Sequence, residues 1–244
     1  MRSAILAFTA TLLAATSASA ASFSTTRAND GSVVAVLNGE IVDGDADDLN
    51  AIIDKANDDG HEVKLLRLNS PGGNIAASVK IAELVRDGKI ATSVTDRAKC
   101  ASACFIVFAA GSQRFADPNA LVGVHGASDE SGKETLRSSA ATLSMARILK
   151  DLGVPPGIIG KMVVTPPSEI VWLTREDLQS MGTTVVASAD RTPPPDSGDR
   201  TPPRSNTANR TPARNGEASS QISSQFDEDE DSTSTQSRSE TNSN

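Results

Sequence analysis

Cys100-Ala101-Ser102-Ala103-Cys104 is the segment of this chain that carries the most information. It places a serine just before the apolar run Phe105-Ile106-Val107-Phe108, which is typical of a buried helix. His125 follows 23 residues after Ser102, and the glycine pair Gly72-Gly73 lies upstream. These residue types together predict a nucleophile, a base, and backbone amides that hold an oxyanion.

Apolar runs rich in β-branched residues alternate with helical patterns on both sides of this segment. The patterns predict strands at residues 32–41, 64–68, 90–94 and 121–124, and helices at residues 45–58, 75–88, 103–110 and 175–181. Strands that alternate with helices form parallel βαβ units, and sites in such sheets lie at the carboxyl ends of the strands. Gly72-Gly73, Ser102 and His125 each follow a predicted strand. We therefore expect an α/β fold with a site built from these residues.

The two ends of the chain differ in composition from the middle. Residues 1–20 combine Arg2, an apolar stretch and Ala18-Ser19-Ala20, which is typical of a cleaved signal peptide rather than a retained membrane anchor. From residue 189 to residue 244 the chain is rich in Pro, Ser and Thr with a late acidic run, and it is predicted to be a disordered tail that is either merely solvated or a tether. Residues 21–188 are predicted to form one domain. The expected location is the periplasm, with secretion as the alternative.

The two cysteines and two histidines restrict the chemistry. In an oxidising compartment Cys100 and Cys104 can form a disulfide, and two buried free thiols are the alternative. Closed zinc sites usually need four Cys or His ligands, so we expect no metal, and we expect no cofactor. The formal net charge of -8 argues against a nucleic-acid partner.

Each candidate residue also has a purely structural interpretation. A Gly-Gly pair occurs in ordinary strand-to-helix turns, and Ser102 could be a helix N-cap. A lone histidine such as His125 at a strand end is more often structural than catalytic. The residue types alone leave these alternatives open.

Several sequence blocks, in their order, resemble the Clp protease proteolytic subunit family, within the wider Clp/crotonase fold. The blocks are Leu68-Asn69-Ser70-Pro71-Gly72-Gly73, Ala101-Ser102-Ala103, Ala109-Ala110-Gly111, Arg114-Phe115-Ala116-Asp117-Pro118-Asn119-Ala120 and His125. The resemblance implies a ββα superhelix with parallel sheets, in which Ser102 is the nucleophile, His125 is the general base, and the Gly73 and Ala103 amides form the oxyanion hole. It also implies a homo-oligomer. The Cys-x-Ser-x-Cys arrangement behind a signal peptide further resembles exported bacterial Clp-like proteins of unassigned function.

The chain departs from the family at the third catalytic position. The family's aspartate has no counterpart before Trp172, where Ser168 and Glu169 stand instead. Glu169 is therefore the candidate to orient His125, with Ser168 as a weaker one. In addition, Cys104 and Gly126 replace a glycine and a glutamine of the family. Loss of the orienting acid costs serine hydrolases about ten-thousandfold in turnover, so this departure bears directly on activity.

Two functions from different classes follow. The first is an exported serine peptidase that acts on peptides or unfolded chains without an ATPase partner, because ATP is not expected outside the cytoplasm. The second is a catalytically impaired binding or scaffolding protein of the cell envelope. A crotonase-like acyl-CoA enzyme is a more distant alternative, and a Ser-Lys dyad would replace His125 by Lys150 or Lys161.

Overall fold

The computed structural model describes residues 20–129 and 131–186. The predicted tail and all but the last residue of the predicted signal peptide lie outside these ranges. Within them, no helix combines the length and the apolar character that a bilayer crossing needs.

Nine strands and six helices follow one another in the described ranges. The strands are β1 (Ser22–Arg27), β2 (Val33–Asn38), β3 (Val63–Asn69), β4 (Ala91–Val94), β5 (Lys99–Ala101), β6 (Arg114–Ala116), β7 (Leu121–Val124), β8 (Val171–Trp172) and β9 (Thr184–Val185). The helices are α1 (Asp45–Asp58), α2 (Ile75–Asp87), α3 (Cys104–Ala110), α4 (Leu136–Asp151), α5 (Pro156–Val164) and α6 (Arg175–Ser180).

Two sheets organise the domain. The larger one has the strand order β1-β2-β3-β4-β6-β9, and its strands pair in parallel except for β1, which runs antiparallel to β2. The smaller one has the order β5-β7-β8, with β5 and β7 parallel and β8 antiparallel. The mixed α/β architecture with parallel sheets, expected from the sequence, is confirmed.

Helix α3 is the centre of the core. Each of its seven residues is buried, and it packs against α2 and α4 as well as against β4 of the larger sheet and β5 and β7 of the smaller one. Burial of one large apolar side chain contributes roughly 1.5–3 kcal/mol, so Phe105 and Phe108 alone hold this helix firmly in place. The residue before the helix is thereby presented from a rigid support.

Arg114 ties the end of α3 to the end of α6. Its Nη1 donates to the carbonyls of Ala109 at 3.1 Å and Gly111 at 3.0 Å, and its Nη2 donates to the Met181 carbonyl at 2.8 Å. Burial lowers the pKa of the Arg114 guanidinium, and the three carbonyl acceptors offset part of its desolvation. The Arg114 block of the family-like pattern is therefore a structural clamp.

Candidate active site

Ser102 lies in the tight turn between β5 and α3. Its φ of +56° is in the left-handed region, which a serine seldom adopts and which often marks functional turns. Its N–H donates to the Gly123 carbonyl at 3.1 Å, which fixes the turn against β7. The N-cap of α3 is Ala103, without a side-chain cap, so the N-cap interpretation of Ser102 is wrong. Its partly exposed hydroxyl remains available.

A disulfide joins the two sides of this turn. Cys100 in β5 and Cys104 at the start of α3 are bonded, with a Cα–Cα distance of 5.3 Å. Both residues are fully buried. The predicted bridge is confirmed in the structure and the alternative of two free thiols is wrong. The irregular strand-to-helix turn lets the pair meet, because Ser102 bends the chain between them.

The Gly72-Gly73 turn packs directly against Ser102. A Cβ at Gly72, where φ is +105°, would lie 2.7 Å from Ser102 Cβ and 3.0 Å from the Ala103 nitrogen. At Gly73, where φ is +137°, a Cβ would collide with the backbone of Ile41. Only glycine fits these two positions, and the structure thus brings the predicted turn and the predicted nucleophile into contact.

The backbone bonds of the turn leave two amides unused. The Ile41 N–H donates to the Gly72 carbonyl at 2.8 Å, and the Gly72 N–H donates to Ser70 Oγ at 3.1 Å. Within residues 20–129 and 131–186, neither the Gly73 N–H nor the Ala103 N–H has an acceptor. Two unpaired amides on either side of a serine are what an oxyanion hole requires.

His125 directly follows β7 and is half-buried. Strand β7 pairs in parallel with β5, with Gly123 opposite Ala101, so both strands end on the same side of the small sheet. The imidazole Nδ1 lies 2.6 Å from the Gly126 carbonyl oxygen. Since a carbonyl only accepts hydrogen bonds, Nδ1 carries a proton in this contact, and in the neutral imidazole Nε2 then carries the lone pair that a base needs.

Among the described residues, the Ser102 hydroxyl and the His125 ring make no hydrogen bond to each other. Such contacts are often long in a site without substrate and shorten when substrate binds. The shared strand ends place the two residues as neighbours in the small sheet.

Glu169 does not reach His125. It is exposed, its N–H donates to the Pro166 carbonyl at 3.0 Å, and in the described part of the chain its carboxylate makes no hydrogen bond or ion pair. Ser168 is exposed as well. The position that the sequence assigned to a carboxylate beside Nδ1 is taken by the Gly126 carbonyl. A backbone acceptor has no residue-type signature, and only the unusual glycine after His125 hinted at it.

Among the described residues, neither lysine of the alternative dyad makes a hydrogen bond to Ser102. Lys161 Nζ donates to both carboxylate oxygens of Asp177, at 2.6 and 2.7 Å, and Lys150 is exposed in the last turn of α4. Burial raises the pKa of Asp177, but hydrogen bonds from Lys161 and Thr174 outweigh it and hold that pKa below its usual range. Within the described ranges, no group of His, Cys, Asp and Glu could hold a metal ion.

A cleft of about 280 Å³ opens next to His125. Gly126 and Ala127, the two residues after His125, line it. Its other lining residues are both polar, among them Glu134 and Thr142, and apolar: Leu143, Val163, Val164, Pro166 and Pro167. Leu143 and Val164 are 56% and 79% exposed, so the apolar wall is open to a ligand.

The two sheets, the buried central helix and the serine turn together define the Clp/crotonase class of α/β folds. A family model for Clp protease matches residues 18–150, more than half of the chain, and the chain belongs to the Clp protease family. Members of this family are serine peptidases that form homo-oligomers and act on peptide substrates.

Two solved structures are similar to this chain, and only the first is similar enough to show the fold. A serine-to-alanine mutant of the 1510-N membrane-bound stomatin-specific protease superposes with a TM-score of 0.50 at 22% identity, over 64% of this chain and 79% of that one. ClpP1 from Listeria monocytogenes superposes with a TM-score of 0.49 at 18% identity, over 64% of this chain and 93% of that one. Identities this low show the fold alone. No curated protein sequence matches the chain.

Proposed function

We propose that this protein is an exported serine peptidase that cleaves peptides or unfolded chains without an ATPase partner. The observation that carries the proposal is the Ser102 turn, with its left-handed backbone and the Gly72 backbone packed against it. The Gly73 and Ala103 amides belong to the two segments that meet at this turn, and among the described residues they donate to no acceptor. An ordinary connecting turn needs none of these features together.

The chemistry follows from the two amides and the histidine tautomer. Ser102 Oγ attacks a peptide carbonyl while its proton passes to His125 Nε2, and the new oxyanion accepts hydrogen bonds from the Gly73 and Ala103 amides. The imidazolium then gives the proton to the leaving amine. Water hydrolyses the resulting ester of Ser102 by the same steps, with His125 taking the proton from water.

Export is supported by the sequence and by the redox state of the chain. Residues 1–20 have the pattern of a cleaved signal, and a buried disulfide is typical of proteins outside the reducing cytoplasm. Without ATP there, no unfoldase can feed the site, so the substrates are short, unfolded or already nicked. N-terminal sequencing of protein from a periplasmic fraction tests this, and an N-terminus at Met1 would contradict it.

One observation favours a second function. In the described residues no carboxylate contacts His125, which suits a catalytically impaired protein that uses the cleft for binding or scaffolding in the cell envelope. In that case the serine, the glycine pair and the histidine are inherited features of the fold.

The deciding experiment is labelling with a fluorophosphonate probe. Purified wild type is compared with Ser102→Ala and His125→Ala, each with and without reductant, after circular dichroism has shown that all three are folded. Labelling of wild type that both substitutions abolish supports the peptidase. Folded wild type that fails to label in either redox state supports the binding protein, and a His125→Ala variant that still labels removes His125 as the base.

A further inference from the structure

We propose that Thr142 is a positioning residue that orients His125 through the peptide unit joining Gly126 to Ala127. The inference rests on the proposed function, since orientation of a base matters only where a base acts. The geometry of that single peptide unit carries it, because one end contacts Thr142 and the other end contacts the imidazole.

The peptide unit is held at both ends. Its carbonyl, that of Gly126, accepts the hydrogen bond from His125 Nδ1 at 2.6 Å. Its N–H, that of Ala127, donates to Thr142 Oγ1 at 2.8 Å. The Thr142 hydroxyl in turn donates to the Ser138 carbonyl one turn earlier in α4, at 3.0 Å. A continuous chain of hydrogen bonds therefore runs from α4 to the imidazole.

Thr142 is well suited to this task. It is 8% exposed and sits in the middle of α4, so its position is fixed by the packing of that helix. Because its proton goes to Ser138, its lone pairs are directed at Ala127 rather than rotating freely. A hydroxyl with one committed proton is a dependable acceptor.

Gly126 is compatible with the same arrangement. Its N–H donates to the Thr165 carbonyl at 2.9 Å, and a Cβ at this position would lie 3.3 Å from both Thr142 Oγ1 and that carbonyl. Both contacts are tighter than ordinary van der Waals distances, so a side chain at this position would require its neighbours to move by a few tenths of an ångström. Glycine, which stands here in place of the family's glutamine, is compatible with this close approach of α4.

The chemical consequence concerns the tautomer and the charge of the imidazole separately. A carbonyl acceptor enforces the Nδ1–H tautomer as a carboxylate does, but it brings no negative charge to stabilise the imidazolium. Hydrogen bonds in a chain polarise one another, so the bond from Ala127 to Thr142 makes the Gly126 carbonyl a better acceptor. Thr142 thereby contributes part of the orientation of the imidazole that the missing acid would have provided.

The direct test is the tautomer of His125, which does not depend on activity. Nitrogen-15 NMR of the purified protein distinguishes Nδ1–H from Nε2–H imidazole, and the chain has only His61 and His125, so a His61→Gln variant assigns the signals. We expect wild-type His125 to be the Nδ1–H form and Thr142→Val to shift it toward a mixture. Thr142→Ser keeps the hydroxyl and should restore the wild-type form. A wild-type Nε2–H signal, or a Thr142→Val spectrum identical to wild type, overturns the proposal.

Kinetics with a fluorogenic peptide then test the effect on catalysis. Thr142→Val should lower kcat about tenfold, the factor expected for one good hydrogen bond, with KM changed less than about twofold, and Thr142→Ser should recover most of it. The matched control is Thr92→Val, because Thr92 is also buried and its hydroxyl donates to the Phe108 carbonyl at 2.8 Å, away from His125. Thr92→Val should lose stability but keep kcat. An equal loss of kcat in both variants would reduce Thr142 to a structural role.

The two proposals fail in distinguishable ways. If wild type neither labels nor cleaves but shows the Nδ1–H form that Thr142→Val disturbs, the peptidase fails and the positioning by Thr142 stands. If wild type cleaves and Thr142→Val leaves both tautomer and kcat unchanged, the peptidase stands and the positioning fails.

Discussion

The two halves of the site are held by very different means. The Ser102 turn is fixed by a covalent bridge, by the glycine backbone packed against it and by a backbone bond to β7. The imidazole of His125 is fixed by one hydrogen bond to the carbonyl of the next residue. Three separate contacts thus fix the position of the Ser102 turn, whereas a single hydrogen bond fixes the His125 ring.

The Ser102 turn and the His125 ring would make different contributions to catalysis. Oxyanion holes and substrate binding keep a residual rate about 10³–10⁴ above water when triad members are removed. Under the proposed mechanism, that contribution belongs to the rigid half. The remaining acceleration depends on a base without a nearby carboxylate, so the base half is expected to limit turnover.

The largest effect should come from breaking the rigid half at Gly72. In Gly72→Ala the new Cβ would meet Ser102 Cβ and force the turn apart. Loss of one oxyanion donor costs about 10²–10³ in rate, and the fluorophosphonate labelling rate should fall by about that factor. Gly44→Ala is the control, because Gly44 also has a positive φ of +93° but open space around it. Wild-type labelling by Gly72→Ala would refute the packing argument.

A smaller effect is expected from removing the disulfide, which tests whether the rigid half survives without its covalent bond. For the short loop closed by cysteines four residues apart, Cys100→Ala with Cys104→Ala should lower the free energy of unfolding by about 2 kcal/mol, measured by urea denaturation. Labelling should slow but persist, since the glycine turn and β7 remain. Complete loss of labelling in a folded variant would show that the bridge alone holds the serine.

The ion pair between Lys161 and Asp177 belongs to neither half of the site, so a substitution of Lys161 should affect stability but not labelling. Lys161→Met should cost about 1 kcal/mol of stability, because the pair is partly screened by solvent, and it should leave labelling unchanged. The pKa of Asp177 is lowered in the folded state, so this difference should be full above pH of about 4 and shrink as the pH falls through the lowered value. Unfolding curves at several pH values measure it. Loss of labelling would revive the Ser-Lys dyad.

The smallest effect is expected from substitution of Glu169. This substitution tests directly whether a carboxylate orients His125. Because the carboxylate is exposed and does not contact His125, Glu169→Gln should change kcat by less than about twofold. Ser168→Ala serves as its neighbour control. A loss of tenfold or more, confined to Glu169→Gln, would mean that a carboxylate orients the base after all, and the two halves would then be equally well built.

The apolar patterns of the sequence predicted helices α1, α2, α3 and α6. Helix α1 covers residues 45–58 as its apolar spacing indicated, and α6 begins at Arg175, the first residue of the predicted helix. The short strands β5, β6, β8 and β9 have only two or three residues each, too few for alternation to show. Their pairing depends on partners far away in the chain, which a local pattern does not contain.

The candidate site was predictable where residue types carry the signal. Ser102, His125 and the glycine pair stand out by type and spacing, and the structure brings the glycine turn against the serine. The environment of Nδ1 was not predictable, because its acceptor is a backbone carbonyl whose direction is set by Thr142, 16 residues further on. Side-chain patterns do not record which way a peptide faces.

The short spacing of the two cysteines has a consequence for the order of folding. Four residues apart, they remain near each other even in an unfolded chain, and the entropy lost on closing so small a loop is low. Oxidation therefore does not need the sheets, whereas the Gly72 contact and the β5–β7 pairing do. If the chain is exported as proposed, the bend that carries the serine can therefore form before the rest of the domain folds.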